Sequence, residues 1–164
     1  MLVREARFED LDSIMRVYCK AKEYMNNNGN PTQWRDGYPQ RELLEDDIVK
    51  KQCYVVCSSD NKVHAVFVLM FGDDPTYAII EAGSWKNEEP YGTIHRLAGD
   101  GTVKGVTSKC IEFCKEKTTN LRADTHHDNK IMQYLLEKNQ FERCGIIYVG
   151  DGSPRIAYHY VGIN

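Results

Sequence analysis

At 164 residues, with 41% hydrophobic side chains, the chain has the length of one ordinary domain and enough apolar material to bury a core, so residues 1–164 read as a single domain. Its net charge of -3 comes from acidic and basic residues mixed along the chain, which leaves no basic stripe for nucleic acid and no polybasic segment for anionic lipid; a small-molecule partner is expected. The opening "MLVREARFED" is charged within four residues, and no run approaches the roughly 20 apolar residues that a bilayer span needs, which predicts a soluble, cytoplasmic protein.

Along the chain, "DLDSIMRVYCKAKEYM" puts Leu11, Ile14, Met15, Tyr18, Ala21 and Met25 on one helical face, with Glu9 and Asp10 favouring the N-terminal end of the dipole. The helix should stop in "NNNGNP", since Asn and Gly accept left-handed geometry and Pro31 cannot continue it. After "TQWRDGYPQ" a shorter helical pattern, "RELLEDDIVKK", carries Leu43, Leu44 and Ile48 on one side. The period then changes: "CYVVCSS" and "KVHAVFVLMF" predict a hairpin about the turn "SDN". "PTYAIIEAGSW" and "YGTIHRLAG" read as further strands around the polar insert "KNEEP".

"GDGTVKGVTSKCIEFC" reads as a tight loop entering a helix, with Val103, Val106, Cys110, Ile111 and Cys114 at helical spacing. "NLRADTH" predicts a strand, "DNKIMQYLLEKN" a helix, and "FERCGIIYV" and "PRIAYHYVG" two closing strands about "GDGSP". The order implies an α/β (α+β) fold, a mixed, mostly antiparallel central sheet with helices on both faces. Of the six cysteines, Cys53, Cys57, Cys110 and Cys114 fall inside periodic segments and read as reduced core thiols. No Cys or His spacing matches a zinc pattern, and the adjacent His126 and His127 should point apart on a strand, so no metal is expected. There is no G-x-S-x-G elbow to support a Ser-His-Asp hydrolase.

The element order, together with "HRLAGDGTVKGVTSKCIEFC" and "RADTHHDNKIMQYLLEKNQF", resembles the GNAT superfamily of acyl-CoA-dependent N-acetyltransferases over nearly the whole chain. That family carries a loop of pattern Q/R-x-x-G-x-G/A, matched here by Thr102, Val103, Lys104, Gly105, Val106 and Thr107, of which only the central glycine is kept. Unpaired N–H groups at a helix start, backed by the dipole, bind pyrophosphate without particular side chains. A Cβ at position 105 would hold the phosphates away, Lys104 adds charge, and Thr107 can turn its hydroxyl toward a phosphate.

In the second motif Asn129 and Phe141 match the family, whereas Leu136 stands where a tyrosine is often proposed to protonate the departing thiolate, and Gln140 replaces a glycine. Tyr134 is two residues away and about 200° around the helix, so it is no simple substitute. "QW", "YP", "GSW" and "PYGTIHR" together resemble a bacterial subgroup of these proteins.

The resemblance implies that the strand Tyr91 to Ala98 splays from the strand Asn120 to Thr125. The pantetheine arm of acetyl-CoA would pair with the backbone around Leu97, Ala98 and Gly99, where one N–H polarises the thioester carbonyl; such a donor is worth about 3 kcal/mol in hydrolases. Attack on a thioester needs a neutral amine, so a base must take its proton, and His95 and Glu81 are the candidates. Glu81 lies between apolar neighbours, which would raise its pKa if buried.

Trp34, Tyr38 and Trp85 are placed to wall the acceptor pocket, and Asp124 and His126 to reach the acceptor, or else to cap the following helix. The expected activity is transfer of acetyl from acetyl-CoA directly to a small-molecule or peptide amine in a ternary complex. The alternative is a catalytically weak acyl-CoA-binding or sensing protein. A homodimer through the late strands is compatible with the family.

Overall fold

Runs of alternating Val, Phe and Tyr fold as strands, and the 3.6-period segments fold as helices, in the computed structural model, which describes residues 1–35 and 37–163. The strands are β1 (Leu2–Glu5), β2 (Cys53–Cys57), β3 (Val63–Phe71), β4 (Gly92–Gly99), β5 (Asn120–Thr125), β6 (Glu142–Tyr148) and β7 (Pro154–Val161). The helices are α1 (Leu11–Asn27), α2 (Arg41–Val49), α3 (Val106–Lys117) and α4 (Lys130–Lys138). One seven-stranded sheet has the order β1-β2-β3-β4-β5-β7-β6, antiparallel everywhere except between β4 and β5.

Burial follows the alternation. Ala65, Phe67 and Leu69 of β3 join Ile94, Leu121, Ala123, Ile156 and Tyr158 under Val106, Cys110, Ile111 and Cys114 of α3 and Leu136 of α4. The opposite face carries Val55, Val66 and Ala98 beneath Leu11, Ile14, Val17 and Tyr18 of α1 and Leu44 and Ile48 of α2. A third cluster, Tyr77, Trp85, Tyr91, Ile147 and Ala157, forms where the 72–91 connection crosses the sheet. The four cysteines expected in the core are buried and unpaired, and burial pushes the Cys53 and Cys114 thiols up to about 12.

Two parts of the sequence behave differently from expectation. Strand β1, paired with β2 from Leu2↔Cys57 to Glu5↔Tyr54, is an edge strand whose short charged sequence carries no alternation signal. "PTYAIIEAGSW" is not a strand: Asp74 accepts from Thr76 N at 2.9 Å and Pro75 starts a 3-10 turn, Pro75–Tyr77. The rest touches the sheet only at the bridge Glu81↔Ile146. Gly145 permits that approach, because a Cβ there would lie 2.5 Å from the Glu81 carbonyl oxygen.

The connection is held over the sheet by buried polar groups. The Arg122 guanidinium sits 4.2 Å from the Trp85 ring centroid and 3.9 Å from that of Tyr91, and donates to the Asn87 carbonyl at 2.8 Å. His159 Nδ1 accepts from Lys86 N at 3.0 Å, so its Nε2–H faces Asn120 Oδ1 at 2.7 Å, and the ring is held neutral. Burial, with the Arg122 and Lys86 charges, lowers its pKa to about 4. Between the ordinary histidine value and 4 the unfolded chain takes a proton that the folded chain refuses. The stability is therefore present above about pH 6.5 and drains as pH falls toward 4. Denaturant titrations at pH 7 and pH 4.5 should show a smaller difference for His159→Gln than for the parent protein; an equal difference would remove His159 from the acid transition.

Candidate active site

Strands β4 and β5 pair only at Gly92↔Leu121 and Thr93↔Arg122 and then part. Opposite them, β3 meets β4 through a bulge: Val66 pairs with Ala98 and Val68 with His95, so Phe67 faces both Arg96 and Leu97. Arg96 takes the extra turn with φ +48°, which bends β4 away from β5 and takes the bulged backbone out of the regular ladder. The gap is a cavity of about 600 Å³ that passes through the sheet.

Its two ends differ in chemistry. On the α3 and α4 side the lining is apolar, from Ile94, Ile111, Ala123, Met132 and Leu136. On the other side it is polar and aromatic: Trp34, Tyr38, Asp74, His95, Asp124 and Arg155. Trp34 packs edge-on against Tyr18 at 5.5 Å and lies 6.3 Å from Tyr38. The loop that carries them is tied across the cavity by Arg35, whose Nε donates to Asp151 Oδ2 at 3.1 Å, and by Gln33, whose Oε1 accepts from Asn129 Nδ2 at 2.9 Å.

His95 is oriented by Asp74. Its Nε2 lies 2.8 Å from Asp74 Oδ2. Burial pushes that carboxyl up, but the hydrogen bonds from His95 and Thr76 outweigh it and hold the pKa at about 2. An ionised carboxylate only accepts, so Nε2 carries a proton, and in the neutral ring the lone pair is on Nδ1. Asp124 is half-buried beside this pair. Burial raises its pKa, opposed by the hydrogen bond from Tyr77 Oη at 2.7 Å.

At the far end, β4 runs into the 99–105 loop. Asp100 accepts from Thr102 N at 3.0 Å and lies 3.2 Å from His64 Nδ1, which fastens the loop to β3. Ser58 Oγ lies 3.1 Å from His64 Nε2, but Ser58 also donates to Asp60 and none of the three lines the cavity, so this row is a tether. Gly105 precedes α3 with φ +76°, a left-handed cap that glycine adopts without strain. A Cβ added there would meet no protein atom within 4 Å, so the need for glycine in this chain comes from the backbone angle, and the space beyond is open.

Of the residues expected at the site, His95, Leu97, Asp124, Asn129, Trp34 and Tyr38 line the cavity. Asn129 is also the helix cap, accepting from Met132 N at 3.1 Å, a role that Asp124 and His126 do not take. Ala98 is buried under α1, Val106 is a core residue of α3, and Gly99 is packed so closely that a Cβ would lie 3.1 Å from Val106 Cγ1. Lys104 is exposed and Thr107 half-buried at the start of α3, outside the cavity lining.

Three expectations require correction. Glu81 is exposed, accepts from Tyr148 Oη at 2.9 Å and does not line the cavity, because the segment between its apolar neighbours lies on the surface of the sheet. Trp85 donates to the Tyr77 carbonyl at 3.0 Å within the core beneath Arg122 rather than walling the cavity. His126 and His127 lie beyond the end of β5, so their rings stack at 4.3 Å instead of pointing apart. With Asp128 they bring three ligand-type atoms within 4.8 Å, yet both nitrogens of His126 are engaged, by Thr32 Oγ1 at 3.1 Å and Asp128 N at 3.0 Å. His126 is outside the cavity lining.

The residues that sequence reasoning missed are Asp74, Arg155, Gln33 and Arg96. Asp74 precedes a proline and reads only as turn chemistry; Arg155 opens a strand, and Arg96 reads as an ordinary strand residue.

No protein-family model matches the chain, and no curated protein matches it. Among solved structures, a GNAT-family acetyltransferase from Streptococcus agalactiae 2603 is 27% identical, with 99% of this chain and 96% of that one covered and a TM-score of 0.91. A putative acetyltransferase from Staphylococcus aureus Mu50 is 26% identical over 98% of this chain and 99% of that one, with a TM-score of 0.72. The NatB acetyltransferase complex bound to CoA and MES shares the fold at 11% identity, with 99% and 100% covered and a TM-score of 0.66. The split sheet, the bulged β4 and the likeness to these acetyltransferases along nearly the whole chain make this protein a member of the GNAT acetyltransferase superfamily.

Proposed function

We propose that the cavity between β4 and β5 takes acetyl-CoA and a primary amine together, and that the 164 residues act as one cytoplasmic N-acetyltransferase domain. The observation that carries this reading is the Asp74–His95 pair, facing a cavity that passes through the sheet to an apolar wall. Acetyl-CoA supplies an activated acetyl group, and this chain's residues fit it: Gly105 and the first N–H groups of α3 suit the pyrophosphate, with Lys104 beside them. Leu97 and the bulged β4 backbone line the path of the pantetheine arm, and an N–H there faces negative charge as it develops on the carbonyl oxygen.

His95 Nδ1 accepts the proton of the amine, whose nitrogen bonds to the acyl carbon as the carbon–sulfur bond breaks, and coenzyme A leaves as the thiolate, which takes up that proton from the imidazolium. Asp74 holds the ring in the required tautomer and stabilises the imidazolium. Trp34 and Tyr38 wall the acceptor, so the chain supplies positioning together with the oxyanion donor and the proton acceptor.

Leu136 favours the second reading, a binding or sensing protein. It is buried and lines the cavity where the family carries a tyrosine, while Tyr134 is exposed. Thiol release from acetyl-CoA, followed across a panel of primary amines, separates the two. Amine-dependent release supports the enzyme. Acetyl-CoA binding with no release over solvent hydrolysis for any amine supports the sensor.

A further inference from the structure

The register Asp124↔Ala157 puts Ala157, and two residues before it Arg155, on the sheet face from which Asp124 meets the cavity. Arg155 is 6% exposed. Two of its five N–H donors go to backbone carbonyls, Nη1 to Pro154 at 2.9 Å and Nη2 to Gln33 at 3.0 Å. Among the described residues no carboxylate forms an ion pair with it, whereas Arg96, a half-buried guanidinium of the same cavity, is paired with Asp47 at 2.6 Å. A buried charge is costly unless a counter-charge meets it. The carboxylates of Asp74 and Asp124 supply the opposite sign a short way along the same end.

An acceptor that answers both signs carries an ammonium and an anion. We infer that the acceptor is a small amino acid-like molecule, its carboxylate held by Arg155 and its amine directed to His95; this rests on the acetyl-transfer reading above. A planar guanidinium with free N–H donors matches a carboxylate two bonds at a time. Size follows from the strap: Arg35 and Asp151 both line the cavity and are bonded to each other across it, which leaves a chamber for a small molecule instead of a groove for a folded protein.

The test compares kcat/KM for free L-amino acids with that for their carboxamides, using the parent protein, Arg155→Met and Arg155→Lys, after acetyl-CoA affinity has been measured for each. The parent should prefer the best carboxylate over its carboxamide by about 100-fold or more, as sites built around a buried polar partner do. Arg155→Met should bring the two within a few fold by losing the carboxylate substrate alone, Arg155→Lys should restore part of the preference, and all three should bind acetyl-CoA alike. Equal use of carboxamides by the parent, loss of both substrate classes together in Arg155→Met, or no turnover of any amino acid by a protein that binds acetyl-CoA would each overturn the inference. Failure of the parent to bind acetyl-CoA would overturn the acetyl-transfer reading itself, and the acceptor assignment with it.

Discussion

His95→Ala should lower kcat by about 10²- to 10⁴-fold, the usual worth of a positioned general base, while leaving acetyl-CoA affinity within a few fold. The imidazole faces the cavity from the acceptor side, so its loss removes the proton acceptor without touching the α3 end. Asp74→Asn tests the same arrangement from behind. The Asp74 carboxylate accepts from Nε2–H and so keeps Nδ1 free, whereas an amide donor in its place favours the opposite tautomer and should remove a large part of the same factor. Because Asp74 titrates at about 2, it stays ionised through the working range, and a fall of activity in mild acid cannot be its protonation. Its contribution to stability is fully present above the ordinary carboxylate range and drains as pH falls from there through about 2. Full activity in His95→Ala would remove the pair from the mechanism.

The other large effect is expected at the opposite end of the cavity. Gly105→Val places a β-branched residue at φ +76°, a left-handed conformation that costs roughly 1–2 kcal/mol and that the loop can escape only by moving. Denaturation should register that modest loss. Coenzyme A affinity should fall further, by about 100-fold, because two charge-assisted hydrogen bonds to the helix start are worth about 3 kcal/mol together. Gly105→Ala separates the contributions, as alanine meets no protein atom and pays mainly for the backbone angle. An unchanged dissociation constant for Gly105→Val would mean that the phosphates bind elsewhere.

The strands and helices with a clear period were legible. Ala65, Phe67 and Leu69 on one face and Val66 on the other announce a strand buried between two layers, and Gly105 before the α3 pattern announces a helix start. The order of those elements carried the family resemblance. Hidden in the sequence were features set by tertiary geometry. The β4 bulge depends on Arg96 adopting φ +48°, which no composition rule favours in "TIHRLAG". Asp74 reaches His95 because a 3-10 turn folds back, across 21 positions of sequence. Glu81 and Trp85 sit in an apolar run that reads as a strand, whereas Gly83 and, across from it, Gly145 serve a close backbone approach at one bridge.

The central claim is that the cavity opened between β4 and β5 is an acetyl-CoA site. Calorimetric titration of the parent protein with acetyl-CoA and with coenzyme A tests it most directly. Saturable one-to-one binding of both, weakened in Gly105→Val and retained in His95→Ala, is the predicted result. No heat at high ligand concentration, or binding indifferent to Gly105→Val, would contradict it.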